Sequence, residues 1–136
     1  MFKKINKKGF TLAELLIVVA IIGVLVAISI PIFTAQLKKA HLATNQANAR
    51  AAYAAVVAKL LEEEKTEGCA TYTVATASLS ATSASNPLTI TAPPQNWKFE
   101  GEQGTGELTD SAFGTTTFKT WTVNIDNTGA ITYGHE

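Results

Sequence analysis

Residues 15–37 hold no charged side chain, and residues 15–30 read LLIVVAIIGVLVAISI, apolar on every face of a helix except at Gly23 and Ser29. An amphipathic helix needs a polar face, and this segment has none. As a helix from residue 10 to residue 30 it measures about 32 Å at about 1.5 Å per residue, close to the ~30 Å hydrocarbon core of a bilayer. Lys3, Lys4, Lys7 and Lys8 precede it, and no cation follows until Lys38. That asymmetry places the N-terminus on the cytoplasmic side and the bulk of the chain outside. The formal charge balances at 11 basic against 11 acidic side chains, but residues 10–136 alone carry 7 basic and 11 acidic. With 136 residues in all, the chain has room for one small domain besides the span, which excludes a multidomain enzyme of ordinary size.

Beyond Pro31 the apolar pattern narrows to a stripe. Phe33, Leu37, Ala40, Ala47, Ala51, Ala54, Ala58 and Leu61 recur at helical spacing, and Tyr53, Val56, Val57 and Leu60 form a neighbouring one. The alanines favour helix and allow another element to approach closely. One helix is expected from residue 11 to residue 64, bent at Pro31, whose ring removes a backbone donor and crowds the preceding turn. Gly23 is a second place where it could loosen, and Gly68 is the expected stop.

After Gly68 the composition changes. Residues 66–136 contain 16 threonines, 7 glycines and 3 of the 4 prolines, with Lys98 and Lys119 as their only cations. Short β-branched or alternating runs at 72–75, 88–91, 97–100, 115–120, 121–126 and 130–133 predict antiparallel strands. The last two predict a hairpin across Asn127, Thr128 and Gly129, with Trp121, Val123 and Ile125 opposing Ile131 and Tyr133. Residues 77–86 are expected to form a loop. The single Cys69 excludes an internal disulfide and is expected half-buried beyond the helix end, with an intermolecular bridge as the alternative.

Glu14 stands at the mouth of the apolar run, where a carboxylate is costly unless it has a partner or remains at the interface. The residues around it are Lys7-Lys8-Gly9-Phe10-Thr11-Leu12-Ala13-Glu14-Leu15-Leu16, followed by the apolar run and Pro31. This segment resembles the processing signal of type IV prepilins and pseudopilins over about residues 1–35; the rest of the chain resembles the family only in architecture. The resemblance implies an α+β fold, a long N-terminal helix packed on a small antiparallel sheet. It divides the chain into a removed leader (1–9), a membrane and polymerisation half-helix (10–31), an amphipathic half-helix (32–67), and a loop with the sheet (68–136). It further implies that a prepilin peptidase cuts between Gly9 and Phe10 and that the new amine of Phe10 is N-methylated. The absent side chain of Gly9 suits an extended backbone in a protease cleft. Cleavage removes the leader lysines and leaves one ammonium at Phe10. Glu14 of one subunit would neutralise that cation on a neighbour, setting the register of a helical filament; in low dielectric the pair is strongly favoured over two lone charges.

The implied protein is a single-pass membrane subunit that becomes part of an extracellular filament, structural and not enzymatic, with no cofactor. Its implied partners are the peptidase, the membrane, and other copies of itself or related pilins. A pseudopilin of type II secretion or DNA uptake is the alternative within the family. A membrane-tethered or secreted binding module is the alternative outside it: residues 1–29 also scan as a secretory signal with a cut after Ser29. Glu14, the junction at Gly9 and Phe10, and Pro31 two residues past that cut all oppose it. Paired C-terminal cysteines, present in many Gram-negative pilins, are missing, which favours a Gram-positive source.

Other chemistry is thinly represented. His41 and His135 have no ligand-spaced partner and are expected at the surface. Asn124, Asp126, Thr128 and Gly129 loosely follow the start of a calcium loop, but His135 stands where its bidentate Glu belongs, so a hairpin turn is expected and no metal. Gly101, Gly104 and Gly106 precede no helix and suggest a surface loop. In residues 66–136 two cations face seven anions, and Lys38, Lys39, Arg50 and Lys59 suit a solvated helix face; no nucleic acid is expected on the sheet domain.

Overall fold

The computed structural model of the chain describes residues 9, 11–81, 88, 90–99, 107, 108 and 111–136. The four leader lysines, Phe10, residues 82–86 of the expected 77–86 loop, Glu100 and the three glycines at 101, 104 and 106 lie outside these residues. By its internal packing the chain divides into two units, Met1–Gln36 and Leu37–Glu136.

One helix, α1 (Leu12–Glu62), contributes to both units and continues through Pro31. In the first unit it is long and apolar enough to cross a membrane, and its most apolar window has no buried residue. The hydroxyls of Ser29 and Thr34 donate to the carbonyls of Leu25 (2.6 Å) and Ile30 (2.9 Å), keeping their own polarity bonded on either side of the proline.

The second unit packs residues 42–60 of α1 on a four-stranded antiparallel sheet ordered β2-β1-β5-β6. Its strands are β1 (Gly68–Thr73), β2 (Ser78–Ala81), β5 (Thr120–Ile125) and β6 (Ile131–His135); β3 (Lys98–Phe99) and β4 (Glu107–Leu108) form a separate parallel pair. The expected final hairpin is present with Val123 opposite Tyr133 and Ile125 opposite Ile131. Gly129 closes its turn at φ +85, a conformation that favours glycine. Trp97, Phe113, Trp121 and Tyr133 form an aromatic core under the helix, with Trp97 stacked on Trp121 at 5.4 Å and meeting the rings of Phe113 and Tyr133 edge-on.

Several expectations are corrected. The helix ends at Glu62, six residues before Gly68. Lys65 N–H donates to the Leu60 carbonyl (2.9 Å) and Glu64 N–H to that of Leu61 (3.3 Å), a Schellman stop with Glu64 at φ 53 in the left-handed position. Gly68 instead opens β1 against the helix, where a Cβ would stand 2.7 Å from Leu60 Cδ2. The first strand therefore begins at Gly68, and Cys69 lies half-buried within it. Residues 78–81 form β2, because a turn at 74–77 with Ala77 at φ 50 folds the chain back on β1. Of 88–91, Ile90 alone is seen to pair, bridging to Tyr133. Residues 115–118 are not a strand, despite their β-branched content: the Thr116 carbonyl and the Phe118 N–H bond to the Asn45 side chain, and the chain joins the sheet from Lys119, which bonds to Glu136 and Val74. A 3-10 turn, Ser111–Gly114, leads into them, and Thr116 N–H bonds back to the Ala112 carbonyl (2.8 Å).

The packed face of α1 is also not the expected one. Leu42, Asn45, Ala49, Ala52 and Val56 are buried, while Ala40, Ala47, Ala51, Ala54, Ala58 and Leu61 are exposed, Leu61 at 73%. At 3.6 residues per turn the two rows lie on roughly opposite sides of the helix. The neighbouring row does contribute: Val57 and Leu60 pack on the core beside Val56, with Tyr53 at its exposed border.

Candidate functional site

The start of α1 is held by two reciprocal bonds. Thr11 Oγ1 accepts from Glu14 N–H (3.2 Å), and Glu14 Oε2 accepts from Thr11 N–H (3.1 Å). This is the capping box that T-x-x-E produces at a helix start, and it occupies two of the backbone donors that the first turn leaves without intrahelical partners. The Glu14 carboxylate is exposed and lies at the positive end of the helix dipole. Gly9 is exposed two residues before the cap. Phe10 and the leader lysines fall outside the described residues, so the structure shows Gly9 and Glu14 but not the expected cationic partner.

From this cap the exposed surface is apolar. Leu15, Leu16, Ile17, Val18, Val19 and Ile21 are each at least half exposed, and Phe33 is 68% exposed. A Cβ at Gly23 would meet nothing within 4 Å, so no packing within the chain requires glycine there. In the second unit the row of α1 opposite the packed face presents the methyl groups of Ala40, Ala47, Ala51, Ala54 and Ala58, with Arg50 exposed beside it.

Asn45 was not identified from the sequence. It is fully buried (0% exposed) on the helix face that meets the sheet domain. Its Nδ2 donates to the carbonyls of Thr116 (2.9 Å) and Phe113 (3.4 Å), and its Oδ1 accepts from Phe118 N–H (3.1 Å). Gln46 Nε2 donates to the Trp97 carbonyl (3.0 Å), and His41 Nδ1 lies 3.2 Å from Thr117 Oγ1. Residues 41, 45 and 46 thus tie the loops flanking the sheet to the helix. His135, expected at the surface, is half-buried with its ring stacked on Phe118 at 3.7 Å.

The remaining polar groups pair locally. Glu63 lies 2.8 Å from Lys65 and 3.6 Å from Lys59; the hydrogen bond and charge of Lys65 hold its carboxyl below the usual range. These residues border a cleft of about 480 Å³ that also contains Cys69. Burial pushes the Cys69 thiol up, away from the reactive thiolate. Asp126 Oδ1 accepts from Thr128 Oγ1 (2.6 Å), Thr128 N–H (2.8 Å) and Ala130 N–H (2.9 Å). Those bonds, the Thr128 hydroxyl foremost, lower its pKa; the carboxylate closes the hairpin turn. Among the described residues no three His, Cys, Asp or Glu side chains converge.

Comparison with known proteins matches residues 4–30 to the prokaryotic N-terminal methylation motif. The Type IV narrow pilus major component PilA5 of Thermus thermophilus is 52% identical over 50 residues, 35% of this chain and 43% of that protein. Fimbrial protein EcpB of Eikenella corrodens is 53% identical over 37 residues, 27% of this chain and 23% of that protein. The chain therefore spans less than half the length of either relative. No solved structure matches it.

Proposed function

We propose that the chain, whose N-terminal segment carries the methylation motif and is similar to type IV pilins, is a structural, non-enzymatic subunit of an extracellular type IV pilus-like filament. It is inserted as a single-pass precursor with the N-terminus cytoplasmic, cut by a prepilin peptidase between Gly9 and Phe10, and N-methylated at Phe10. The observation that carries this reading is the apolar segment of α1: it matches the methylation motif, and its most apolar window has no buried residue. Such a surface needs either lipid or other copies of the same helix, and a polymerising subunit uses both in turn. The exposed alanine row opposite the sheet supports the same reading, since small uncharged residues let helices approach closely. Glu14 pairs with the Phe10 ammonium of a neighbouring subunit, and Pro31 and Gly23 are where the helix yields during that transfer.

The test is N-terminal sequencing and mass measurement of filaments sheared from cells. The expected subunit begins at N-methylated Phe10. A subunit beginning at Ile30, or the protein recovered only as free monomer from culture fluid, overturns the reading. In parallel, Gly9→Val leaves uncleaved precursor, and Glu14→Ala is cleaved but does not enter filaments.

A further inference from the structure

Strand β2 is an outer strand of the sheet, and among the described residues its backbone pairs only with β1. The opposite edge differs: Ile90 N–H donates to the Tyr133 carbonyl of β6 (3.3 Å), and the Ile90 carbonyl accepts from Tyr133 N–H (2.9 Å). Alternate N–H and C=O groups of β2 point away from β1 and form an open edge. Such edges are ordinarily blunted by lysine, proline or a bulge. Residues 68–81 hold no charged side chain and no proline, and β1 meets β2 residue for residue.

Beside this edge the last turns of α1 are uncovered. Leu79 of β2 lines a hollow of about 570 Å³ whose other walls include Ala55, Ala58 and Leu61 of α1. It also lines the cleft of about 480 Å³ that contains Cys69, together with Val56, Leu60 and Ala70. Lys59 and Leu79 border both, so the two form one groove along β2. Gly68, Ala70 and Ala81 bring little side chain to this end of the sheet, which leaves the groove unfilled. Its floor is apolar and its rim charged, with Glu62, Glu63 and Glu67 against Lys59 and Lys65. Glu63 is held by both lysines, while Glu62 and Glu67 have no ion-pair partner among the described residues.

An extended chain suits both features at once, since its backbone meets the open edge while every second side chain reaches the apolar floor. We propose that β2 and this groove are a docking site for an extended peptide segment of a partner protein, apolar at alternate residues and basic at its ends, which joins the sheet as a fifth strand. The unpaired Glu62 and Glu67 select the basic ends. Two copies of this chain joined through β2 would bring like acidic rims to one junction, so charge favours a different protein over a second copy.

The probes are two acetylated and amidated peptides, KVTVTVK and EVTVTVE, added to the isotope-labelled full chain in detergent micelles at low salt and followed by NMR of its amides. KVTVTVK is expected to shift the amides of residues 78–81, to slow their hydrogen exchange, and to saturate by about 1 mM, the range of a short strand that must be ordered on binding. EVTVTVE is expected to bind about fivefold more weakly, the worth of two exposed ion pairs together. Glu62 and Glu67 are exposed, so the double variant Glu62→Lys, Glu67→Lys keeps the fold, as the fluorescence of the buried Trp97 and Trp121 checks, and reverses the preference. No binding of KVTVTVK by that concentration, binding that leaves residues 78–81 unchanged, or equal affinity for both peptides overturns the proposal. Slow exchange at 78–81 that rises with protein concentration in the absence of peptide overturns it in favour of a second copy.

Discussion

Replacing Asn45 by leucine isolates the clamp between α1 and the loop before β5. Leucine has the same number and branching of side-chain heavy atoms and good helix propensity, so the substitution mainly replaces hydrogen-bonding groups by somewhat larger methyl groups. It strands the buried Phe118 N–H, whose acceptor at 3.1 Å is lost, and the part-buried Thr116 carbonyl, whose donor at 2.9 Å is lost. The 3.4 Å contact to the Phe113 carbonyl is too long to weigh much. At about 1–3 kcal/mol for the buried Phe118 N–H and about 1 kcal/mol for the part-buried Thr116 carbonyl, the expected loss is about 2–4 kcal/mol. That is a large part of the ~5–15 kcal/mol that holds an ordinary domain folded. Trp97 and Trp121 are 1% and 0% exposed, so their fluorescence reports unfolding by urea in detergent micelles. A loss under about 1 kcal/mol with an unchanged urea slope refutes the clamp. Asn45→Asp sharpens the test by turning an oxygen toward the Thr116 and Phe113 carbonyls. Its folded-state pKa is raised, so its deficit relative to the parent is smallest below the unfolded value of about 3.9 and grows as pH rises through the folded value.

Glu64 holds a left-handed cap without being glycine, so Glu64→Gly should stabilise the domain by about 0.5–1 kcal/mol; thermal melting checks it, and a lower Tm contradicts the Schellman assignment. Ala51→Glu, on the exposed side of α1, should change domain stability by no more than about 0.5 kcal/mol while blocking filament formation, as read by electron microscopy of sheared material. Asp126 has its pKa lowered by the Thr128 hydroxyl and backbone donors, so its contribution is present above the unfolded value and lost as pH falls through the folded one. Denaturation followed between neutral and strongly acidic pH should show this loss in the parent and not in Asp126→Asn.

The apolar half of α1 and the final hairpin were legible because each rests on local pattern: an unbroken apolar run in one case, and alternation around Asn127, Thr128 and Gly129 in the other. The packed face of α1 was not. Alanine occupies so many of positions 40–58 that spacing alone defines more than one row, and the row that packs has a polar residue, Asn45, at its centre. Nothing local says that Asn45 is satisfied by carbonyls some seventy positions away. The same blindness turned threonines 115–117 into a strand, since β-branched residues fit extended backbone whether or not a partner strand exists. Residues 11 and 14, by contrast, carried a readable signature, T-x-x-E, whose meaning as a cap is separate from the charge of Glu14.

The side of α1 that bears Ala40, Ala47, Ala51, Ala54 and Ala58 is nearly smooth. Two such rods lying together slide past each other over shallow bumps of similar height, and methyl contacts reward many offsets almost equally. If the chain polymerises as proposed, one repeat distance must come from sparse polar points and not from this row, so a defect at Glu14 would blur the lattice while leaving each helix intact.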